Sequence, residues 1–271
     1  MAATCEVLLA SDFSARCDRA LDRAMQIVRD HGGRLAIAHV LERDVAEASP
    51  ETAERLRAEL PDAARDAALI VRAGSAPEIL AQVAAERGSD LIVTGVARYN
   101  SIGDYLLGTV VDHIVRRAQA PVLVVRRRPA HPYRRIVVAT DLSDCSRAAL
   151  LSAARLFPGA DFTLVHAFHV PYEAWLKSDD VKEYVRAEAE KGMATFLSHE
   201  EIAPLRSAIE PVVVEGETGS IVLDRLERTK ADLLVLGTHG RSGFAHATIG
   251  SQAEALLFVA GTDVLMVRER K

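Results

Sequence analysis

The sequence predicts an α/β fold: two tandem doubly wound domains, each a five-stranded parallel sheet with helices on both faces. Three observations predict it. Short apolar runs alternate with helical stretches along the chain, the runs lack clean two-residue alternation, and the pattern of the first half returns in the second. Strands buried on both faces read as continuous apolar runs, and helical segments between them are the crossovers of a parallel sheet.

Taken in order, the first half places strands at 6–10, 35–40, 68–73, 90–95 and 121–125. The second places them at 135–139, 162–168, 208–214, 232–236 and 263–267. Between them, "SRAALLSAARLF" and "VKEYVRAEAEKGMATFL" have helical spacing. The stretch 173–197 sets Trp175, Leu176, Val181, Tyr184, Val185, Met193 and Phe196 at near-helical intervals. That is the pattern of a helix covering the sheet.

The repeat is collinear. "GSAPEIL…SDLIVTG…LLGT…APVLVVR" answers to "GETGSIV…ADLLVLG…TIGS…TDVLMVR", and Gly74/Gly216, Gly95/Gly237, Gly108/Gly250 and Val125/Val267 are all 142 apart (for example 237 − 95). Upstream, "LLASDFS" matches "VVATDLS" with an offset of 129 (141 − 12), so the second copy carries extra residues between its second and third strands. The expected domains are 1–128 and 134–271. The linker lies in "RRRPAHPYR", where two prolines and clustered charge interrupt the pattern.

Composition narrows the function classes. The chain has 271 residues, is 49% hydrophobic and 26% charged, and carries a net charge of −5. This is an ordinary globular balance without the concentrated basic face of a nucleic-acid binder. No run approaches the roughly 18 apolar residues of a membrane span. The three cysteines, Cys5, Cys17 and Cys145, have no metal-ligand spacing, and the N-terminus does not read as a signal peptide. A cytoplasmic location is expected.

The stretch "GTHGRSGFAHATIGS" (237–251) joins a strand to a helix. In doubly wound sheets ligands bind there, at the carboxyl ends of the strands. Glycines permit positive φ and close approach of a ligand to the backbone. The helix beginning near Ser251 offers unpaired N–H groups and partial positive charge, suited to phosphate. Ser251 can cap that helix or bond a phosphate oxygen, while His239 and Arg241 lie in the loop. Asp141, just past the first strand of its copy, is an acceptor for ribose hydroxyls.

These residues resemble the universal stress protein family. The spacing Gly237, Gly240, Gly250, Ser251 is similar to that family's ATP-binding signature, and "ATDLS" (139–143) and "VHA" (165–167) also match. The resemblance covers nearly the whole chain, twice. It implies that Asp141 holds the ribose, that backbone near Thr140 and Ala167 faces adenine, and that Gly237, Gly240, Gly250, Ser251 and Gln252 surround the phosphates. The implied cofactor is ATP, with or without Mg²⁺. The implied function is stress-response regulation, with a slow ATPase or a nucleotide-independent interaction module as alternatives. Family members pair through the last strand. A tandem chain can do so internally, 121–125 against 263–267, as an intramolecular pseudo-dimer open to further homodimerisation.

The first copy departs from the pattern. Arg98 stands where the second copy has Gly240, and Asp104 where it has His246. A bulky side chain there obstructs phosphate, so nucleotide is expected mainly in the second domain. The Walker phosphate loop is absent, since no Gly-Lys-Ser/Thr occurs. Phosphoryl transfer needs metal ligands and a residue to orient water, and Asp141, Glu217 and His239 form no diagnostic arrangement. His166 and His169 fall on a strand, where a spacing of three points them to opposite faces. His39 and His166 occupy equivalent strand ends, which suits a structural role. No metal site and no catalytic residue are expected.

Overall fold

The computed structural model describes residues 5–41, 49–96, 109–170, 179–240 and 249–269, and for 109, 110, 179 and 180 the backbone alone. Internal contacts divide the chain into two units, Met1–Pro132 and Tyr133–Glu269.

In unit 1 the elements run β1 (Glu6–Ala10), α1 (Asp18–His31), β2 (Arg34–Leu41), α2 (Pro50–Ala58), β3 (Ala68–Ala73), α3 (Ala76–Arg87), β4 (Leu91–Gly95), α4 (Thr109–Arg117) and β5 (Val122–Val125). In unit 2 they run β6 (Arg135–Ala139), α5 (Asp144–Leu156), β7 (Asp161–Phe168), α6 (Asp179–Leu197), β8 (Ile209–Glu215), α7 (Thr218–Thr229), β9 (Leu233–Gly237), α8 (Ser251–Val259) and β10 (Asp263–Val267).

Within unit 1 the strand order is β3-β2-β1-β4-β5, and within unit 2 it is β8-β7-β6-β9-β10. Every pairing inside each unit is parallel. The apolar runs become central strands because both faces are covered. Leu8, Leu9, Ile37, Ile92 and Leu123 are buried in unit 1, as are Ile136, Leu164, Leu234 and Leu265 in unit 2. The chain leaves the first strand of each unit in one direction, then returns to its other side. The resulting switch point lies between β1 and β4, and between β6 and β9, the place where doubly wound sheets hold their ligands.

The repeat holds at the level of single torsions. Gly74 and Gly216 both have φ of 141°. Each precedes a helix and faces an isoleucine, Ile79 or Ile221. Phe13 and Leu142, 129 apart like the aspartates before them, are both left-handed, with φ of 55° and 64°. One repeat position diverges in chemistry. α3 ends on Gly88 with φ of 62°, whereas α7 ends on Lys230 (88 + 142) with φ of 49°. A side chain in that region is disfavoured by contact of Cβ with the backbone.

Candidate functional site

At the carboxyl edge of unit 2 the ends of β6, β7 and β9 and the start of α8 enclose a cleft of about 440 Å³. Thr140, Asp141, Ala167, Gly237, His239, Gly240, Gly250, Ser251 and Gln252 all line it. Arg241 lies outside the described residues, as do Arg98, Asp104, Gly108, Trp175, Leu176 and His246. Sequence reasoning missed Ser146 and Thr218, which also face the cleft. Thr218 is the first residue of α7, immediately after the capping Glu217. That strand-to-helix position was a signal for it.

Asp141 is held by a tight turn. Its Oδ1 accepts from the Ser143 amide (3.1 Å) and hydroxyl (2.5 Å). The Leu142 amide donates to Thr140 Oγ1 (2.9 Å), which also bonds the Ser146 hydroxyl (2.7 Å). Thr140 extends the sheet by donating its amide to Val165 O (2.9 Å). Its own carbonyl meets His166 Nδ1 at 2.9 Å. In unit 1, His39 Nδ1 meets Ser11 O at 2.8 Å. The two histidines therefore clamp equivalent turns to the neighbouring strand. His169 lies beyond the end of β7, and among the described residues no cluster of three His, Cys, Asp or Glu side chains is placed to hold a metal.

The glycines of the loop serve space rather than unusual torsion. Among the described residues Gly237, Gly240 and Gly250 have no positive φ, contrary to the expectation from sequence. A Cβ on Gly237 would stand 3.1 Å from Cys145 Sγ and 3.3 Å from its carbonyl, so this glycine lets β9 pack on α5. A Cβ on Gly240 would stand 2.7 Å from Asp141 Oδ2, well inside contact distance. At Gly250 the nearest atom is Thr238 O at 3.7 Å, an ordinary contact. Gly240 is thus the position where bare backbone faces the carboxylate across the cleft.

Among the described residues no side chain caps the start of α8. Gly250, not Ser251, occupies the cap position. A serine one residue into a helix no longer has the extended backbone that aims its oxygen at the following amides. The first intrahelical bond runs from Glu254 N to Gly250 O (2.9 Å), so the amides of Ser251, Gln252 and Ala253 precede the ladder. The Gly250 amide donates to Thr238 O (2.9 Å), and Thr238 N to Val267 O (2.9 Å), which pins the base of the loop to the sheet.

Glu217 has a different task. Its carboxylate accepts from the amides of Ser220 (2.6 Å) and Gly219 (2.8 Å), capping α7. Those amides hold its carboxyl below the usual range. In unit 1, Cys17 donates to Asp12 Oδ1 (3.1 Å), and burial pushes its thiol up to about 11. Cys145 is buried against Gly237 and β10.

The two units define a class: tandem doubly wound α/β proteins with a cleft at the switch point. Within that class, a model of the universal stress protein family matches residues 6–126 and 132–268. The chain belongs to the universal stress protein family and carries its domain twice. A universal stress protein of Mycobacterium tuberculosis is 30% identical over 211 residues, covering 74% of this chain and 67% of its own. One from Thermus aquaticus is 32% identical over 134 residues, covering 44% of this chain and 97% of its own. Among solved structures, a universal stress protein from Archaeoglobus fulgidus has a TM-score of 0.68 at 16% identity, covering 97% of this chain and 96% of its own. A functionally unknown protein from Pseudomonas aeruginosa has a TM-score of 0.68 at 20% identity, covering 98% and 93%. At these identities the structural likeness speaks to the fold. Among the described residues no helix is long and apolar enough to cross a membrane.

Proposed function

We propose that the chain is a cytoplasmic stress-response regulator that binds ATP, mainly in the cleft of unit 2. The observation that supports this most is the pairing of an uncapped helix start with a carboxylate across a bare glycine, Gly240 against Asp141. Asp141 Oδ1 accepts from Ser143 and Oδ2 lies toward Gly240, which turns the carboxylate toward the cleft, where a ribose hydroxyl can donate to it. The amides of Ser251, Gln252 and Ala253, with the positive end of the α8 dipole, suit phosphate oxygens. ATP supplies the negative charge that this end of the helix is built to receive. Thr140 and Ala167 line the cleft, and in this reading the backbone near them faces adenine. Among the described lining residues Asp141 is the one carboxylate, so Mg²⁺ would be held largely by phosphate and water.

Calorimetry with ATP tests the reading: about one site per chain is expected. Phosphate release tests the runner-up. Because Asp141, Glu217 and His239 form no diagnostic catalytic arrangement in the sequence, turnover should fall far below about 1 s⁻¹, the low end for enzymes. A rate of that order that vanishes in Asp141→Ala would make the protein an ATPase. The same reading takes the strands at 121–125 and 263–267 as partners within one chain. Cysteine pairs placed across them should cross-link in monomeric protein.

A further inference from the structure

We infer that helix α6 governs the unit 2 cleft through Leu142, a positioning residue that lies outside the cleft; this inference rests on the nucleotide reading above. Leu142 follows Asp141 directly and holds a left-handed backbone (φ 64°). A branched side chain stays there only where its surroundings over-determine it. Two sets of contacts do so. Inside the turn, Thr140 Oγ1 takes the Leu142 amide and Asp141 Oδ1 takes the Ser143 amide. Outside it, α6 rests on the leucine: a Cβ on Gly192 would stand 3.0 Å from Leu142 Cδ1. Helix, leucine, aspartate and glycine therefore form one chain of contact, from Gly192 through Leu142 and Asp141 to Gly240.

Among the described side chains of α6 only Met193 and Phe196 are buried, and Tyr184 is 67% exposed. A groove of about 590 Å³ separates part of the helix from the end of β7, lined by Leu142, Phe168, Val185 and Phe196. His166 lines both this groove and the cleft. The groove leaves the described part of the helix room to shift without breaking the core. Unit 1 holds its equivalent turn differently. The Phe13 ring stands edge-on to His39, with centroids 5.3 Å apart, so a side chain of the sheet itself supports the turn. Because binding free energies couple reciprocally, nucleotide that fixes Asp141 must in turn steady α6.

Gly192→Val tests this. The added side chain cannot fit unless Leu142 or the helix moves. ATP affinity, measured by calorimetry on the full chain, should fall about tenfold, the scale of coupling between residues in contact. Adding Leu142→Ala, which reopens the space, should recover most of it. Amide exchange on nucleotide-free protein gives an independent readout. Exchange at Leu142 and Ser143 should quicken in Gly192→Val, with α7 unaffected, and ATP should slow exchange along α6 in the wild type. Unchanged exchange at Leu142 and Ser143 overturns the inference, whether or not ATP binds. So does quickened exchange with undiminished affinity. Wild-type protein that binds no ATP instead overturns the nucleotide reading, leaving the contact between α6 and the turn to the exchange data. If Gly192→Val does not fold, Gly192→Ala serves in the same scheme, with a smaller loss expected.

Discussion

The turns Asp12-Phe13-Ser14 and Asp141-Leu142-Ser143 share one backbone and differ in what surrounds it. In each, the third amide bonds the aspartate Oδ1 (2.9 and 3.1 Å). In each, the middle amide bonds a hydroxyl two residues back (3.0 and 2.9 Å). In unit 1 the aspartate also takes the Cys17 thiol (3.1 Å). In unit 2 the matching Ser146 (17 + 129) turns to Thr140, and Asp141 takes the Ser143 hydroxyl instead. Local hydrogen bonding therefore builds the same carboxylate in both halves, whatever either half binds. An aspartate at this place is a property of the turn. Any difference between the units then lies in the loop that follows: Gly240 stands against Asp141 in unit 2, and the repeat-equivalent residue in the sequence of unit 1 is Arg98.

The largest expected effect breaks that difference directly. Gly240→Arg should weaken ATP binding by at least the worth of one charge-assisted hydrogen bond. That is roughly 1.5–3 kcal/mol, or about ten- to a hundredfold. Even Gly240→Ala should weaken it, because the new Cβ must push Asp141 Oδ2 from its place. The nucleotide-free melting temperature of Gly240→Arg should change little. Two equal ATP sites per chain, or undiminished binding in these variants, would mean that the loop glycines serve packing alone.

Next in size is the contrast at the ends of α3 and α7. Lys230→Gly should stabilise unit 2 by about 1 kcal/mol, and Gly88→Lys should destabilise unit 1 by a similar amount, as read from urea unfolding. Equal effects of the same sign would show that the two helix ends are not equivalent in strain.

The smallest expected effect concerns pH. Burial raises the Cys17 thiol from 9.0 to about 11. Below pH 9 the thiol is protonated in both folded and unfolded chains. Between pH 9 and 11 the unfolded thiol ionises first, so stability falls as pH rises through that window. Cys17→Ser, which installs the residue of unit 2, should flatten this part of the profile relative to wild type. A profile identical to wild type would show that the thiol does not contribute.

Much of this was legible in the sequence because burial leaves a one-dimensional trace. Strands covered on both faces, such as "DLLVLG" and "DVLMV", can only be apolar runs, and the repeat doubled the signal. The cleft residues were legible because the switch point follows from strand order and helix start. What stayed hidden depends on partners distant in sequence. Nothing local shows that Gly237 is bare to admit Cys145, or that Gly240 faces Asp141. Glu217 reads as a possible cleft acid, yet it spends both oxygens on the start of α7. Ser251 reads as a cap, but a one-residue shift in the helix start gives that position to Gly250. His39 and His166 could be matched by the repeat, while their common bond to the carbonyl just past the neighbouring strand depends on how the two strands lie side by side.

The junction between the halves has a practical side. Tyr133 is buried, its hydroxyl donates to Asp263 at 2.5 Å, and its ring meets Phe157 edge-on at 4.9 Å. Asp263 opens the last strand and is itself buried. Whoever divides this protein to study the second half alone must therefore cut upstream of Tyr133. A fragment beginning at Arg134 would give the carboxylate of the final strand one donor fewer and leave a hole beside Phe157. Poor behaviour of such a fragment would then report where the scissors fell, not whether the half can stand by itself.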